Sequence, residues 1–178
     1  MFEDVQPIIG VYASRPAACL DYDPRAADVA RSVAGLIREQ LPHVRAEHVG
    51  STSVPGCAGK GVVDLMIAVA DADMEAVKRL LDRLGFQHQT GEDPFPETRP
   101  MRVGSFAHDG ETFLVHVHVI PANSPEVDEV RFFRTCLRAD PELLHAYVAR
   151  KREILANGVT DSIEYCRLKG EFIQQILG

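Results

Sequence analysis

The sequence predicts an α+β fold, in which one mixed β-sheet is flanked by helices and residues 124–178 form a helical C-terminal part. Residues 61–70 form a nearly continuous apolar run, which is typical of a central strand buried on both faces. Two further segments with strand composition are joined by a turn at Asp109-Gly110. Strands in the middle of the chain and helices at its end indicate one sheet with helices packed on it.

The elements of the first half follow from hydrophobic spacing and from residues that end helices. Residues 24–41 have apolar side chains at helical spacing, and residues 44–49 read as a short strand that leads into a Gly-Ser turn. Residues 73–84 predict a helix that ends at Gly85. Residues 86–90 predict a further strand.

The second half begins with an irregular loop over residues 91–100, where three prolines block regular structure. The two strands on either side of the Asp109-Gly110 turn cover residues 101–107 and 112–120. Three helices follow, and each begins at a residue that commonly caps a helix N-terminus. These capping residues are Ser124, Asp140 and Asp161, the last of them paired with Glu164.

Composition limits the classes of protein to which the chain can belong. With 178 residues, 46% of them hydrophobic, the chain predicts a single globular domain over residues 1–178. A net charge of −7 argues against a long nucleic acid as a partner, because such partners need a basic surface. No signal peptide or membrane-spanning run is recognised, so we expect a cytoplasmic protein that does not bind a membrane. Four scattered cysteines predict neither a disulfide framework nor a structural zinc site.

A Gly-Ser turn, followed by a short loop, a lysine and the long apolar strand, is the strongest functional signal. Gly50, Ser51 and Thr52 can present backbone N–H groups and hydroxyls to a phosphate, and Lys60 can add a positive charge. Asp64 lies within the apolar strand, where an unpaired carboxylate is costly, so it should be hydrogen-bonded or bind a metal. The structural alternative is an ordinary turn, a solvated lysine and an aspartate bonded within the fold.

Two histidines provide further candidate ligands. Strand alternation places Met66 on the same face as Asp64, where a thioether cannot bind a hard cation. His116 and His118 share one face of a later strand. They can ligate a transition metal, bind phosphate as cations or act as general acid or base. The alternative is that one of them is an ordinary core or surface histidine.

Cations on the C-terminal helices suggest a cleft for an anion. Arg134, Lys151 and Lys169 each fall on the apolar stripe of a predicted helix. One such residue is best explained by a long stem that extends to water, but three in successive helices indicate a shared cleft. Arg99 and Arg102 flank the irregular loop and can close over a phosphate tail.

Residues 47–69 resemble the GrpB family, a branch of the nucleotidyltransferase superfamily. The superfamily is marked by a hydrophobic residue, Gly-Ser, about ten further residues and an acidic residue on a strand, with a second acidic residue two positions on. Here that second position is Met66, which departs from the pattern. The resemblance covers about residues 45–175, while residues 1–22 match poorly. It continues at His116-Val117-His118-Val119, Phe133-Arg134, Leu137-Arg138, Asp140-Pro141-Glu142, Tyr165 and Lys169-Gly170-Glu171-Phe172-Ile173.

The resemblance implies a nucleotidyltransferase-like fold with a helical C-terminal part. The superfamily has its third catalytic carboxylate on a strand beside the first, which implies that His116 or His118 stands near that position. Arg134 and Lys169 match family positions and are therefore expected to bind phosphate or nucleotide ahead of Lys151.

The favoured hypothesis is an enzyme that binds a nucleoside triphosphate with Mg²⁺ or Mn²⁺ and transfers a nucleotidyl group to a small-molecule acceptor. Asp64 and His118 would hold the metal, Ser51 and Lys60 would bind the phosphates, and His116 or His118 would complete the metal shell or act as base. The first alternative is a non-catalytic nucleotide or phosphometabolite binding module, which the residue at position 66 favours. The second is a transition-metal hydrolase that uses the same aspartate and both histidines.

Overall fold

The computed structural model describes residues 7–178, so the first six residues of the N-terminal segment 1–22 lie outside it. Five strands form one sheet in the order β1-β2-β5-β4-β3. Strand β2 runs parallel to β5, and the other neighbouring pairs are antiparallel, so the sheet is mixed as predicted. The strands are β1 Ala46–Val49, β2 Val63–Val69, β3 Gln87–His88, β4 Met101–His108 and β5 Glu111–Pro121.

Helices lie on both sides of this sheet. The helices are α1 Arg25–Gln40, α2 Met74–Leu84, α3 Pro125–Ala139, α4 Pro141–Ala156 and α5 Ser162–Leu177. Helices α1 and α2 bury their apolar faces against the sheet in the main core, while α3 contacts β1 and β5 and packs with α4 and α5. Within residues 7–178, no helix has the length and apolar character that crossing a membrane requires.

Successive side chains of β2 point to opposite faces of the sheet, so they contact different helices. Leu65 and Ile67 are fully buried with α1 and α2. Met66 points the other way and is buried in a small apolar cluster with Val127 of α3. Asp64 shares that second face, but its side chain remains 25% exposed. The prediction of a strand buried on both faces is therefore correct at Met66, whereas Asp64 borders a cavity.

The polar residues predicted to cap the three C-terminal helices do so. The side chains of Ser124, Asp140 and Asp161 each accept a hydrogen bond from a backbone N–H in the first helical turn. Such caps typically stabilise a helix by about 1 kcal/mol. Of the predicted capping pair at α5, only Asp161 caps the helix, because the carboxylate of Glu164 binds Arg167 instead.

Strands β1 and β3 begin later than the sequence predicts, because the N–H groups of the first predicted residues are hydrogen-bonded to the ends of the preceding helices. The N–H of Val44 donates to the carbonyl of Leu41 in a turn after α1, at 2.9 Å. The N–H of Phe86 donates to the carbonyl of Leu81 at the end of α2, at 3.0 Å. A backbone group bound in a helix end cannot also pair with a neighbouring strand.

The N-terminal segment packs beside the sheet, which the sequence did not predict. Gly10 forms an isolated β-bridge with Ser105 of β4, and Leu20 forms another with Gly59, just before Lys60. Residues between these two bridges therefore pass close to the strand face that carries Asp64.

Candidate functional site

Asp64, His116 and His118 come together where β2 and β5 lie side by side. The parallel register pairs Asp64 with His116 and Met66 with His118. Paired positions point to the same face of a sheet, so the three polar side chains share one surface. Asp64 Oδ1 lies 3.3 Å from His118 Nε2 and 3.6 Å from His116 Nδ1. The structure thus brings both histidines beside Asp64, where the family resemblance implied that His116 or His118 would stand.

Electrostatics keep this carboxylate ionised. Burial acts to raise the pKa of the Asp64 carboxyl, but the hydrogen bond from His118 and the charges of His116, His118 and Lys169 hold it below its usual value. Burial lowers the pKa of His116, although the Asp64 charge opposes that shift. At neutral pH the site therefore presents an anionic carboxylate next to a neutral imidazole, a combination suited to binding a cation.

The other ring nitrogen of each histidine also has a polar partner. His116 Nε2 lies 2.9 Å from the hydroxyl of Tyr12, whose ring is tilted against the imidazole. His118 Nδ1 lies 3.2 Å from Arg99 Nη1. Sequence reasoning missed Tyr12, since it belongs to the segment that matches the family poorly and no local pattern links it to β5.

Gly50 brings the Gly-Ser turn into contact with Asp64. Its backbone has φ 71° and ψ −171°, a conformation that is essentially restricted to glycine. A Cβ at this position would lie 2.7 Å from Asp64 Oδ2. The carboxylate therefore packs directly against the backbone of the turn, and the two halves of the motif form one surface.

Ser51 is held by a buried lysine beneath the loop. Lys151 of α4 is 1% exposed and donates to Ser51 Oγ at 3.1 Å and to the carbonyl of Ala58. Its ammonium lies 4.4 Å from the ring centroid of Tyr147, and burial lowers the pKa of Lys151. Lys151 thus supports the loop from behind, and of the three cations on the C-terminal helices it is the one that does not line the cavity.

Thr52 lies on the far side of the same turn. Its hydroxyl donates to the carbonyl of Val62 at 3.2 Å and lies 2.8 Å from His48 Nε2. Because the hydroxyl proton is used, Thr52 Oγ1 accepts from an Nε2–H of His48. Thr52 is buried and does not line the cavity that contains Asp64, so its hydroxyl fixes the turn.

We expect His48 to make the fold sensitive to acid. Burial is the main cause that lowers the pKa of His48 to about 4, and Arg138 and Arg134 add to it while Asp64 opposes it. In the unfolded chain His48 binds a proton with its usual pKa of 6.5, whereas in the folded protein it stays neutral down to about pH 4. The free energy of unfolding therefore decreases as the pH falls from 6.5 towards 4. The loss between pH 7 and pH 5 is about 2 kcal/mol.

Urea titrations at both pH values test this expectation in the wild-type protein and in His48→Gln. The variant should lose less stability on acidification, since glutamine does not titrate. An equal loss in the two proteins would contradict the assignment.

Two lysines bring positive charge to the cavity. Lys60 Nζ donates to Ser162 Oγ at 3.1 Å, and Lys169 makes no hydrogen bond or ion pair with residues 7–178. Their ammonium groups lie 6.0 and 5.6 Å from the ring centroid of Tyr165. Burial favours the neutral form of Lys169, but Tyr147, Cys166, Tyr165 and Asp64 hold its pKa raised. Lys169 is thus a protonated cation that faces the site and has no hydrogen-bonded or ion-paired partner in the described part of the chain.

Three arginines near the site differ in their availability. Arg134 lines the cavity but donates to the carbonyl of His48 at 2.8 Å and pairs with Glu47. Arg99 also lines the cavity and forms an ion pair with Glu126. Arg102 belongs to the opposite face of the sheet.

The suggestion that Arg102 closes over a phosphate is wrong. It is 2% exposed and pairs with Asp82 and Glu97. In β4 it lies opposite Val117, which belongs to the main core. Its guanidinium therefore anchors α2 and the irregular loop on the side of the sheet away from Asp64.

The predicted residues that do meet surround one open cavity of about 860 Å³. This volume falls in the range of small-molecule sites. Aromatic and aliphatic side chains, among them Phe95 and Phe133, form part of its wall. The predicted site residues that line it are Gly50, Ser51, Lys60, Asp64, His116, His118, Arg134 and Lys169.

Comparison with known proteins settles the family. A family model described as GrpB protein matches residues 16–178. The chain belongs to the GrpB family. A UPF0157 protein of Streptomyces coelicolor is 34% identical over 173 residues, which cover 95% of this chain and 87% of that protein. A UPF0157 protein of Halalkalibacterium halodurans is 29% identical over 161 residues, 89% of this chain and 79% of that protein.

Solved structures place this GrpB chain in the nucleotidyltransferase-like fold. The GrpB protein of Enterococcus faecalis aligns with a TM-score of 0.62 at 23% identity, over 90% of this chain and all of that one. Cid1 in complex with its short product ApU aligns with a TM-score of 0.53 at 13% identity, over 76% of this chain and 42% of that one. The non-canonical poly(A) polymerase complex GLD-2–GLD-3 gives 0.54 at 13% identity, over 78% and 46%. The predicted family and fold are both confirmed.

Proposed function

We propose that the protein binds a metal–nucleoside triphosphate complex in this cavity and transfers its nucleotidyl group to a small-molecule acceptor. One observation carries the proposal: the ionised carboxylate of Asp64 packs against the Gly50 backbone of a Gly-Ser turn, and Lys169, without a partner among the described residues, faces the same cavity. A cation at the carboxylate and an anion at the turn would therefore lie next to each other. A metal-bound triphosphate supplies both charges in one ligand.

The chain's own residues suit the phosphate part of such a ligand. Ser51 Oγ already accepts a hydrogen bond from Lys151, which leaves its hydroxyl proton free to donate to a phosphate oxygen. Lys169 has no partner among residues 7–178, and Lys60 has only the hydroxyl of Ser162. A triphosphate would give both ammonium groups charge-assisted hydrogen bonds.

The donor set fits the two expected metals unequally. Asp64 and His118 would hold the cation, with His116 beside them. Mg²⁺ prefers an all-oxygen shell, whereas Mn²⁺ accepts imidazole as well as carboxylate. When bound, the cation would neutralise phosphate charge and polarise the phosphoryl group. His116, which burial keeps neutral, either completes the metal shell or accepts the proton of the acceptor.

A non-catalytic nucleotide-binding module on the same fold is the second candidate, and Met66 supports it. Two-metal transfer requires another carboxylate near Asp64, yet Met66 is fully buried beneath α3 and offers no ligand. This candidate predicts binding of the nucleotide without turnover.

Calorimetric titration with the four common nucleoside triphosphates, with and without Mn²⁺ or Mg²⁺, tests the proposal. We expect metal-dependent binding of at least one triphosphate and release of pyrophosphate when a cell extract supplies acceptors. Binding without pyrophosphate release would support the non-catalytic module. The absence of binding by any triphosphate would overturn both candidates.

Lys169→Met should weaken triphosphate binding roughly 10- to 100-fold, because a hydrogen bond to a charged group contributes about 1.5–3 kcal/mol. Lys169→Arg retains the charge and should recover most of the affinity. Lys78→Met is the matched control, since Lys78 pairs with Glu75 and Glu97 on the opposite side of the sheet. Equal affinity in Lys169→Met and Lys78→Met would show that Lys169 does not contact the phosphates.

A further inference from the structure

The spacing of three ligand atoms identifies the kind of cation that the site accepts. Asp64 Oδ1, one nitrogen of His116 and one nitrogen of His118 all lie within 4.8 Å of one another. The two measured separations from Asp64 Oδ1 are 3.3 and 3.6 Å. Around a tetrahedral ion with bonds of about 2.1 Å, neighbouring ligand atoms are about 3.4 Å apart. The two separations from Asp64 therefore match those of ligands on one small ion, and the two imidazole nitrogens lie within 4.8 Å of each other.

We propose that Asp64 Oδ1, His116 Nδ1 and His118 Nε2 bind one transition-metal ion of the Zn²⁺, Mn²⁺ or Fe²⁺ class and discriminate against Mg²⁺. Two imidazoles and one carboxylate on one side of an ion form a ligand set typical of such metals, with positions left open for a substrate. The open positions would face the 860 Å³ cavity. The inference rests on the proposed function only where it concerns the nucleotide. Binding of the metal ion by the three residues requires no nucleotide.

His116 is already oriented for this role. Its Nε2 is within hydrogen-bond distance of the Tyr12 hydroxyl, at 2.9 Å, which can accept the Nε2 proton. The Nδ1 lone pair then points to the side of Asp64. A metal-bound histidine usually donates its second N–H to such a partner, and this bond fixes both the tautomer and the ring. Tyr12 is thus a positioning residue for the metal ligand.

Arg99 holds His118 in the tautomer in which the proposed ligand atom, Nε2, carries the proton. A guanidinium donates hydrogen bonds and cannot accept them, so His118 Nδ1, 3.2 Å from Arg99 Nη1, must accept. In the neutral ring Nε2 then carries the proton and donates it to Asp64 Oδ1, at 3.3 Å. A metal ion can bind Nε2 only when the proton moves to Nδ1 and Arg99 releases the ring. Arg99 therefore competes with the metal for His118.

Two sulfur-containing side chains, those of Met66 and Cys166, lie near the three proposed ligands. The thioether of Met66 is fully buried in the cluster with α3. Cys166 is exposed and lines the same cavity, so its thiol is a source of adventitious zinc binding. Replacing it in a Cys166→Ser background removes that source and leaves the three proposed ligands unchanged.

Titration of the metal-free Cys166→Ser protein with Zn²⁺, Mn²⁺ and Mg²⁺, in the absence of nucleotide, tests the proposal. We expect one Zn²⁺ per chain, bound at least roughly 100-fold more tightly than Mg²⁺. His116→Gln and His118→Gln should each weaken Zn²⁺ binding by at least roughly 10-fold. His145→Gln is the control, because His145 is exposed on α4 and does not line the cavity.

Two further readouts complement the histidine variants, and the first needs no substitution. Co²⁺ added to the unsubstituted protein should give the visible absorption of a low-coordinate site with nitrogen ligands. Arg99→Met should tighten Zn²⁺ binding roughly 10-fold, since it removes the competitor for His118. Mg²⁺ binding as tight as that of Zn²⁺, or Zn²⁺ binding unaffected by both histidine substitutions, would overturn the proposal. An unchanged affinity in Arg99→Met would overturn the competition.

The outcomes separate this inference from the proposed function. Zn²⁺ binding through the three residues without binding of any nucleoside triphosphate retains the metal site and removes the nucleotide proposal. Triphosphate binding that requires Mg²⁺ and is indifferent to Zn²⁺ and Mn²⁺ does the reverse.

Discussion

Gly50→Ala is expected to lower the thermal midpoint by roughly 6–12 °C and to abolish metal-dependent nucleotide binding. The new Cβ would lie 2.7 Å from Asp64 Oδ2 and 3.2 Å from Asp64 Cβ, and the backbone conformation of φ 71° and ψ −171° disfavours any side chain. Together these costs amount to about 3 kcal/mol, which for a chain of this size corresponds to that shift in the midpoint. If Asp64 moves to relieve the contact, it leaves the position in which it can hold a cation.

Two other glycines separate the causes. Gly56 also has positive φ, at 81°, but a Cβ there meets nothing within 4 Å, so Gly56→Ala carries backbone strain alone. Gly35 lies within α1 and has open space around it, so Gly35→Ala should be neutral or slightly stabilising. Midpoint and nucleotide affinity in Gly50→Ala equal to those of Gly56→Ala would show that the contact with Asp64 is unimportant.

Asp64→Asn is expected to weaken metal-dependent nucleotide binding by at least roughly 100-fold while the protein remains folded. The amide removes the only carboxylate among the three clustered ligand groups, and with it the negative charge that would bind a cation. Its carbonyl oxygen can still accept a hydrogen bond from His118, so the fold around β2 should be retained. Calorimetry with Mn²⁺ and a nucleoside triphosphate, together with a thermal melt, measures both quantities.

Asp128→Asn provides the control for Asp64→Asn. Asp128 lies on α3 with a side chain that is 91% exposed. Its replacement by asparagine removes the same formal charge as Asp64→Asn. We expect wild-type affinity in this variant. Metal-dependent binding that survives in Asp64→Asn would remove Asp64 from the site and with it the basis of the proposed function.

The fold was largely predictable because its determinants are local. The apolar run that became β2, the turn at Asp109-Gly110 and the capping side chains of Ser124, Asp140 and Asp161 each act within a few residues. The strand edges were less accurate, because helix-end hydrogen bonds of α1 and α2 consume backbone groups that composition alone assigns to strands.

The group of Asp64, His116 and His118 was predictable in part, since alternation fixes which side chains share a strand face. That β2 and β5 are neighbours required the family resemblance, as nothing local specifies strand order. Tyr12 could not be predicted, because it is 104 positions away from His116 in the sequence. It also lies in an irregular segment, which has no periodic pattern that would indicate its neighbours.

The roles of the buried cations were also beyond sequence reasoning. Lys151 and Arg102 have side chains long enough to reach water from many positions, and only the packed structure shows that each is turned inward. Lys151 supports Ser51 from behind, whereas Arg102 anchors the opposite face. The residue type alone, lysine or arginine, does not distinguish a ligand-binding role from a structural one.

The most direct measurement is an anomalous-difference map from crystals grown with Mn²⁺ and a non-hydrolysable nucleoside triphosphate. We expect a manganese peak within bonding distance of Asp64 and at least one of His116 and His118, with the triphosphate in contact with Ser51 and Lys169. A triphosphate bound elsewhere, or manganese that avoids Asp64, would contradict the proposed site.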